Sequence, residues 1–284
     1  MSSANNSDIV TQNQRRRPRG SLPILILAAL FLLSTFLAWY FTWFGRDLSD
    51  ADVTRYLSDT RNPRHVQHAL LQIQQKMERH DANVKTWYPQ LLILSNSRED
   101  EYRLTVAWLM GFDNQNSDFH SALSKLLVDD QPIVRRNAAL ALIRFNDKAG
   151  RHELLSILQP YSVKSNLDGV VASTLRVGAE IARGSLLARI QASDGSVTEV
   201  RAPLAGRIAT ISKGNGGYVM TGDDLLTINS DEESVYEALR GLALIGDPTD
   251  AAIVQNSISS SDSERVRKQA ALTLEAIQSR SLTK

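Results

Sequence analysis

Five histidines and no cysteine limit the chemistry open to these 284 residues. Without a thiol there is no disulfide, no zinc–thiolate site and no cysteine nucleophile. His65 and His68 stand three apart on an expected helix, a spacing at which two imidazoles could share a metal. No acidic residue sits at matching helical spacing beside them; the nearest are Asp59 and Glu78. The pair therefore reads as a solvated helix face, and no metal site is expected. Neither His-Glu-x-x-His nor Gly-x-Ser-x-Gly occurs. Gly214-Asn215-Gly216-Gly217 lacks the Lys-Ser/Thr of a phosphate loop and reads as a turn. Glu99-Asp100-Glu101 and Asp231-Glu232-Glu233 fall at expected helix starts, where the dipole favours negative charge without any catalysis. No catalytic, cofactor-binding or metal residue is expected, and the chain reads as a non-enzyme with no cofactor.

The elements that would position a site begin with one pattern written twice. Gly178-x-x-Ile181-x-x-Gly184-x-x-Leu187-x-x-Ile190 returns as Gly216-x-x-Val219-x-x-Gly222-x-x-Leu225-x-x-Ile228. Each glycine would cost about 1 kcal/mol inside a helix, and glycine permits the positive φ of tight turns between strands. Residues between them alternate as in strands, so two similar sets of short strands are expected to close into a small β-sandwich.

Helical periodicity flanks this stretch on both sides. In Pro132–Phe145 the proline opens a helix, Asp130 is a candidate cap, and Val134, Ala138, Ala141, Leu142 and Phe145 share a face. Val134-Arg135-Arg136-Asn137-Ala138-Ala139-Leu140 is matched by Val266-Arg267-Lys268-Gln269-Ala270-Ala271-Leu272. Arg135, Arg136, Arg267 and Lys268 thus occupy equivalent positions and are candidates for contact with an acidic partner.

The helical units resemble HEAT repeats, whose helix pairs stack into a solenoid. The doubled glycine pattern, with Val200-Arg201-Ala202-Pro203-Leu204-Ala205-Gly206-Arg207-Ile208, resembles the biotinyl/lipoyl domain. It also resembles the related barrel-sandwich hybrid of periplasmic membrane-fusion (adaptor) proteins. The resemblance covers roughly sixty residues. It implies a modified lysine on the hairpin between the halves, yet Gln191–Glu199 contains none: Asp194-Gly195 stands there, a strong tight-turn signal. The adaptors' long helical hairpin has no room in about nine residues. A bare interaction module is implied, with Leu204, Tyr218 and Met220 as candidate partner contacts.

Residues 22–44 carry no charge and follow Arg15, Arg16, Arg17 and Arg19. Leu22 begins a run long enough to span about 30 Å of hydrocarbon, and Trp39, Tyr40 and Trp43 would sit at the far interface. The arginines would hold the N-terminus in the cytoplasm and place the bulk in the periplasm. The net charge of +1 gives no field that favours nucleic acid.

The expected fold class is α+β: an N-terminal transmembrane helix and an α-solenoid of HEAT-like helix pairs, with a small β barrel-sandwich hybrid inserted. The expected domains are a disordered basic tail (1–20), a transmembrane helix (21–45), HEAT-like repeats (46–161), the barrel-sandwich (165–230) and further repeats (231–284). The expected function is a single-pass, inner-membrane periplasmic scaffold, assembly or accessory subunit that binds other subunits of a membrane complex. Two other readings stay open: an adaptor subunit of an efflux or secretion system, and a HEAT-type lyase or carrier enzyme.

Overall fold

A proline in its first turn and an unbroken apolar run make α1, Ser21–Thr42. The computed structural model describes residues 21–42 and 47–282, and the chain divides after Asp52 into two units. Among the described residues no helix is long and apolar enough to cross a membrane. The expected transmembrane helix, and with it the single-pass inner-membrane placement, is corrected accordingly. The side chains of Leu22, Trp39 and Tyr40, and all of Trp43, Arg15, Arg16, Arg17 and Arg19, lie outside the described residues.

Helices follow in succession: α2 (Asp50–Ser58), α3 (Pro63–Glu78), a 3-10 turn Ala82–Trp87, and α4 (Tyr88–Leu94). Then come α5 (Asp100–Met110), α6 (Ser117–Leu126), α7 (Pro132–Arg144) and α8 (Arg151–Ile157). Pro132 opens α7 as its missing N–H allows. Asp130 is not its cap: the flanking residue is Gln131, whose own N–H is taken by Asp129 Oδ1 at 2.9 Å.

Eight strands interrupt the helices: β1 (Tyr161–Lys164), β2 (Gly169–Ala172), β3 (Glu180–Ile181), β4 (Leu186–Gln191), β5 (Val197–Arg201), β6 (Gly206–Ile211), β7 (Tyr218–Val219) and β8 (Asp224–Ser230). They form two antiparallel sheets, ordered β1-β8-β6-β3 and β5-β4-β2-β7. Adding four to each strand number of the first sheet, counted cyclically, gives the second, so the doubled sequence pattern is a doubled structure. Gly178 and Gly216 sit at φ +87° and +80°, and Gly184 and Gly222 at +81° and +93°. A side chain at those angles is strained, which is why the spacing survives in both halves. β1 falls where a linker was expected; Val163 is buried in it, and the strand pairs with β8 as β5 pairs with β4.

Val171, Ile190 and Val219 of one sheet pack against Val163, Ile208 and Ile228 of the other. Burying each such side chain is worth about 1.5–3 kcal/mol. Helices resume with α9 (Glu232–Ile245), α10 (Ala251–Ser260) and α11 (Glu264–Leu282). Their core is continuous with the earlier block: Ala139, Leu154 and Ile157 join Leu239, Leu242, Val266 and Ile277 in one cluster. Gly150 permits a close approach of two backbones, since a Cβ there would lie 2.7 Å from the Ala139 Cα. The second unit is thus α+β, with helix pairs that pack on each other past an inserted β module.

Candidate functional site

The arginines singled out in the sequence turn inward to their own loops. Arg135 Nη1 donates to the carbonyls of Asp129 (2.8 Å) and Asp130 (3.3 Å), six and five residues before it. Arg267 does the same to Ser261 (2.8 Å) and Asp262 (3.0 Å). Arg103, which carries no sequence flag, repeats the geometry on Ser97 (2.8 Å) and Arg98 (3.1 Å). A loop ahead of a helix leaves carbonyls without partners, and one guanidinium fork satisfies two of them. The missed signal was the 32-residue interval from Arg103 to Arg135. Arg135 reaches on to Glu153 at 3.2 Å, and Arg103 grips Asp129 with two bonds, 2.6 and 2.9 Å. The hydrogen bond to Asp129 raises the Arg103 pKa. Burial alone would raise that of Asp129, but Arg103 and the Gln131 N–H bring it below its ordinary value.

The second residue of each pair departs from its twin. Arg136 is only 4 % exposed, its Nε has no partner, and burial lowers its pKa. Lys268 is exposed and pairs with Glu264 at 2.7 Å, one turn away. Arg135, Arg136, Arg267 and Lys268 therefore form no joint basic surface.

Two further ion pairs fasten the parts of the unit. Arg151 at the start of α8 binds both carboxylate oxygens of Asp250, with 2.7 Å from Nε to Oδ2, and joins the helices before the module to those after it. Asp250 is almost wholly buried. Arg183, in the turn between β3 and β4, pairs with Asp100 (3.2 Å) and Glu101 at the start of α5. Both pairs join residues more than eighty positions apart, and no local spacing announces them.

The outer face of the second sheet is the most distinctive open surface. Val197 lies across from Gln191, Gln191 from Val170, and Val170 from Tyr218. That row crosses all four strands, and all four residues are exposed. Met220 stands two residues beyond Tyr218, on the same side of the alternation, and is 55 % exposed. The turn that carries it is held by Asp223, which accepts from the Met220 N–H at 3.0 Å, and by Asp168, which accepts from the Thr221 N–H at 2.6 Å. That backbone bond holds the Asp168 carboxyl below the usual range. Beside the row, Arg189 and Arg201 flank Glu199 at 3.0 and 2.6 Å. Tyr218 and Met220 are thus brought together. Leu204 is not with them: at 1 % exposure it is a buried residue, not a loop contact.

At the tip between the halves the hairpin turns as Asp194-Gly195 requires. Gly195 has φ +83°, and Asp194 accepts from the Ser196 N–H at 2.9 Å. The histidine pair is not a solvated face. His65 stacks on Tyr56 at 4.0 Å and meets Asp59 at 2.7 Å, while His68 is buried. Among the described residues no three His, Cys, Asp or Glu gather as a metal site would need.

No protein-family model matches the chain. No curated protein matches it either. Among solved structures it is similar to a single-chain, multi-domain long-chain acyl-CoA carboxylase, with 25% identity and a TM-score of 0.24. That match covers 27% of this chain and 8% of the carboxylase. It is also similar to an engineered protein, with 16% identity, 80% and 78% coverage and a TM-score of 0.42. Neither likeness carries an argument about fold or function.

Proposed function

We propose that this chain is a scaffold, an assembly or accessory subunit of a larger protein complex that works by protein–protein binding. In this reading the helix pairs are HEAT-like repeats and the β module is a barrel-sandwich of the biotinyl/lipoyl kind, kept without its carrier lysine. The observation that carries the proposal is the exposed row Val197, Gln191, Val170 and Tyr218, extended by Met220. An apolar patch rimmed by charge is the usual form of a protein contact, and its aromatic and methionine members are those enriched at such contacts. The hairpin tip supports the reading: Asp194 and Gly195 offer no amine for a prosthetic group.

The test is cross-linking of the tagged chain in its native cells, followed by mass spectrometry, against a variant carrying Val170→Asp and Tyr218→Asp. Each substitution is expected to change stability by less than about 0.5 kcal/mol, as open positions do. Partners captured by the parent and lost by the variant support the proposal. Identical captures, or none from the parent, overturn it.

A further inference from the structure

Between the rim of the first sheet and the helices after the module lies an open cleft of about 700 Å³, within the range of ligand sites. β3, β6 and the end of β8 form one wall; the start of α9, the last turns of α10 and the loop into α11 form the other. Two hydroxyls in it make no hydrogen bond among the described residues. Ser230 Oγ is sealed from solvent and makes no hydrogen bond. Ser257 is 6 % exposed and has no hydrogen bond within the described residues. A helical serine commonly bonds the carbonyl one turn back; in the same helix Ser259 does so to Gln255 at 3.2 Å. Ser257 leaves that bond unmade, and its Oγ, unlike that of Ser230, is not sealed off, so it can bond a group that enters the cleft.

The charges of the cleft are one-sided. Arg207 is already matched by Glu180 at 3.1 Å, and Asp231 is engaged in capping α9 through Ser234. Glu232 and Asp262 are exposed and form no ion pair among the described residues. Val235 and Val266 line the same cleft and supply apolar wall. Open carboxylates, an aliphatic wall and the unpaired Ser257 hydroxyl suit a lysine or arginine side chain with its stem and its backbone amide.

We propose that this cleft binds a short basic segment of a partner protein, with Glu232 and Asp262 taking the cationic head and Ser257 a backbone group. It is a second site, built from elements other than the Val170–Tyr218 row.

The test uses the purified full chain and a fluorescein-labelled octapeptide of alternating leucine and arginine, read by fluorescence anisotropy. A leucine–glutamate octapeptide is the control, and spermidine is the competitor. The basic peptide is expected to bind saturably and the acidic one not at all. Together Glu232→Gln and Asp262→Asn should weaken binding by about tenfold or more, the scale of losing a charged partner. Ser257→Ala should weaken it about threefold or more without lowering the melting temperature, since it removes an unpaired group. Tyr218→Asp should leave the affinity unchanged. The proposal is overturned if both peptides bind alike, if the carboxylate variant binds as the parent does, or if Ser257→Ala changes nothing. It is equally overturned if Tyr218→Asp abolishes binding, or if spermidine competes as well as the peptide.

Discussion

The helices before and after the β module begin with nearly the same words and end in different surroundings. Arg135 of α7 and Arg267 of α11 make the same pair of bonds to carbonyls six and five residues back. Their neighbours part company: Arg136 is buried, while Lys268 stands in solvent beside Glu264. Leu140 and Leu272 differ in the same way, half-buried against exposed. The cause is what lies over that face. Arg136 lies near the point where the chain leaves α8 for β1 and returns at Asp231, and Glu153 and Asp231 are the acids that act on it. Nothing among the described residues covers the matching face of α11. The repeated motif therefore specifies how a helix closes its own loop, and the next layer decides everything else.

The strongest way to break this comparison is to remove the shared arginine from each helix in turn. Arg103→Ala should cost the most, about 3 kcal/mol, because it leaves the Asp129 carboxylate, 7 % exposed, without its partner. Arg135→Ala should cost about 2 kcal/mol, since Glu153 is more loosely held. Arg267→Ala should cost about 1 kcal/mol, the worth of bonds to two carbonyls with no carboxylate at stake. Denaturant unfolding of the three variants measures the order; equal losses would show that the clamps are not graded by what they grip.

Acid sharpens the same contrast. In the folded chain Asp129 is held below its ordinary value of 3.8. A carboxyl depressed in this way adds stability that is complete above the unfolded pKa and is lost as pH falls through the folded one. The parent should therefore keep this contribution down to about pH 4. In Arg103→Ala burial loses its strongest counterweight and is opposed chiefly by the Gln131 N–H, the carboxyl rises, and unfolding should begin at higher pH than in the parent. Arg267→Ala, with no buried acid to release, should leave the onset where it was. Circular dichroism against pH reads both, and an unmoved onset in Arg103→Ala would refute the assignment.

What was legible in the sequence was local. Gly178, Gly184, Gly216 and Gly222 announced left-handed turns, Asp194-Gly195 a hairpin, and Pro132 a helix start, because each depends on its own backbone. Whatever depended on a distant element stayed hidden. The spacing around His65 and His68 suggested open water, but Tyr56 from the helix before and Asp59 from the loop after it come across. Leu204 looked like a loop tip and is packed away. Arg151 and Asp250 are 99 positions apart and meet only because the module between them is folded out of the stack. The apolar N-terminal run read as a membrane span by hydropathy, which the described helix does not sustain. The candidate surface was half legible: Tyr218 and Met220 were visible as apolar loop residues. Val170 and Val197 join them only through strand register, which no spacing within one strand reveals.

The smallest effect is also the most discriminating. Replacing Arg136 by methionine removes a guanidinium whose Nε is buried without a partner and whose neighbouring acids are engaged elsewhere. Glu153 serves Arg135, and Asp231 caps α9. Methionine keeps an unbranched stem of similar reach and brings no polar group to bury. The cost of an unpaired buried donor then disappears, so Arg136→Met should be neutral or more stable by up to about 1 kcal/mol. Lys268→Met, at the twin position in solvent, should change stability by less than about 0.5 kcal/mol. Chemical denaturation of both variants at neutral pH decides the matter. A loss above about 2 kcal/mol in Arg136→Met would mean that this cation holds the junction of module and helices through a partner of its own. The two positions would then differ in what they bind, and coverage by the next layer would no longer explain them.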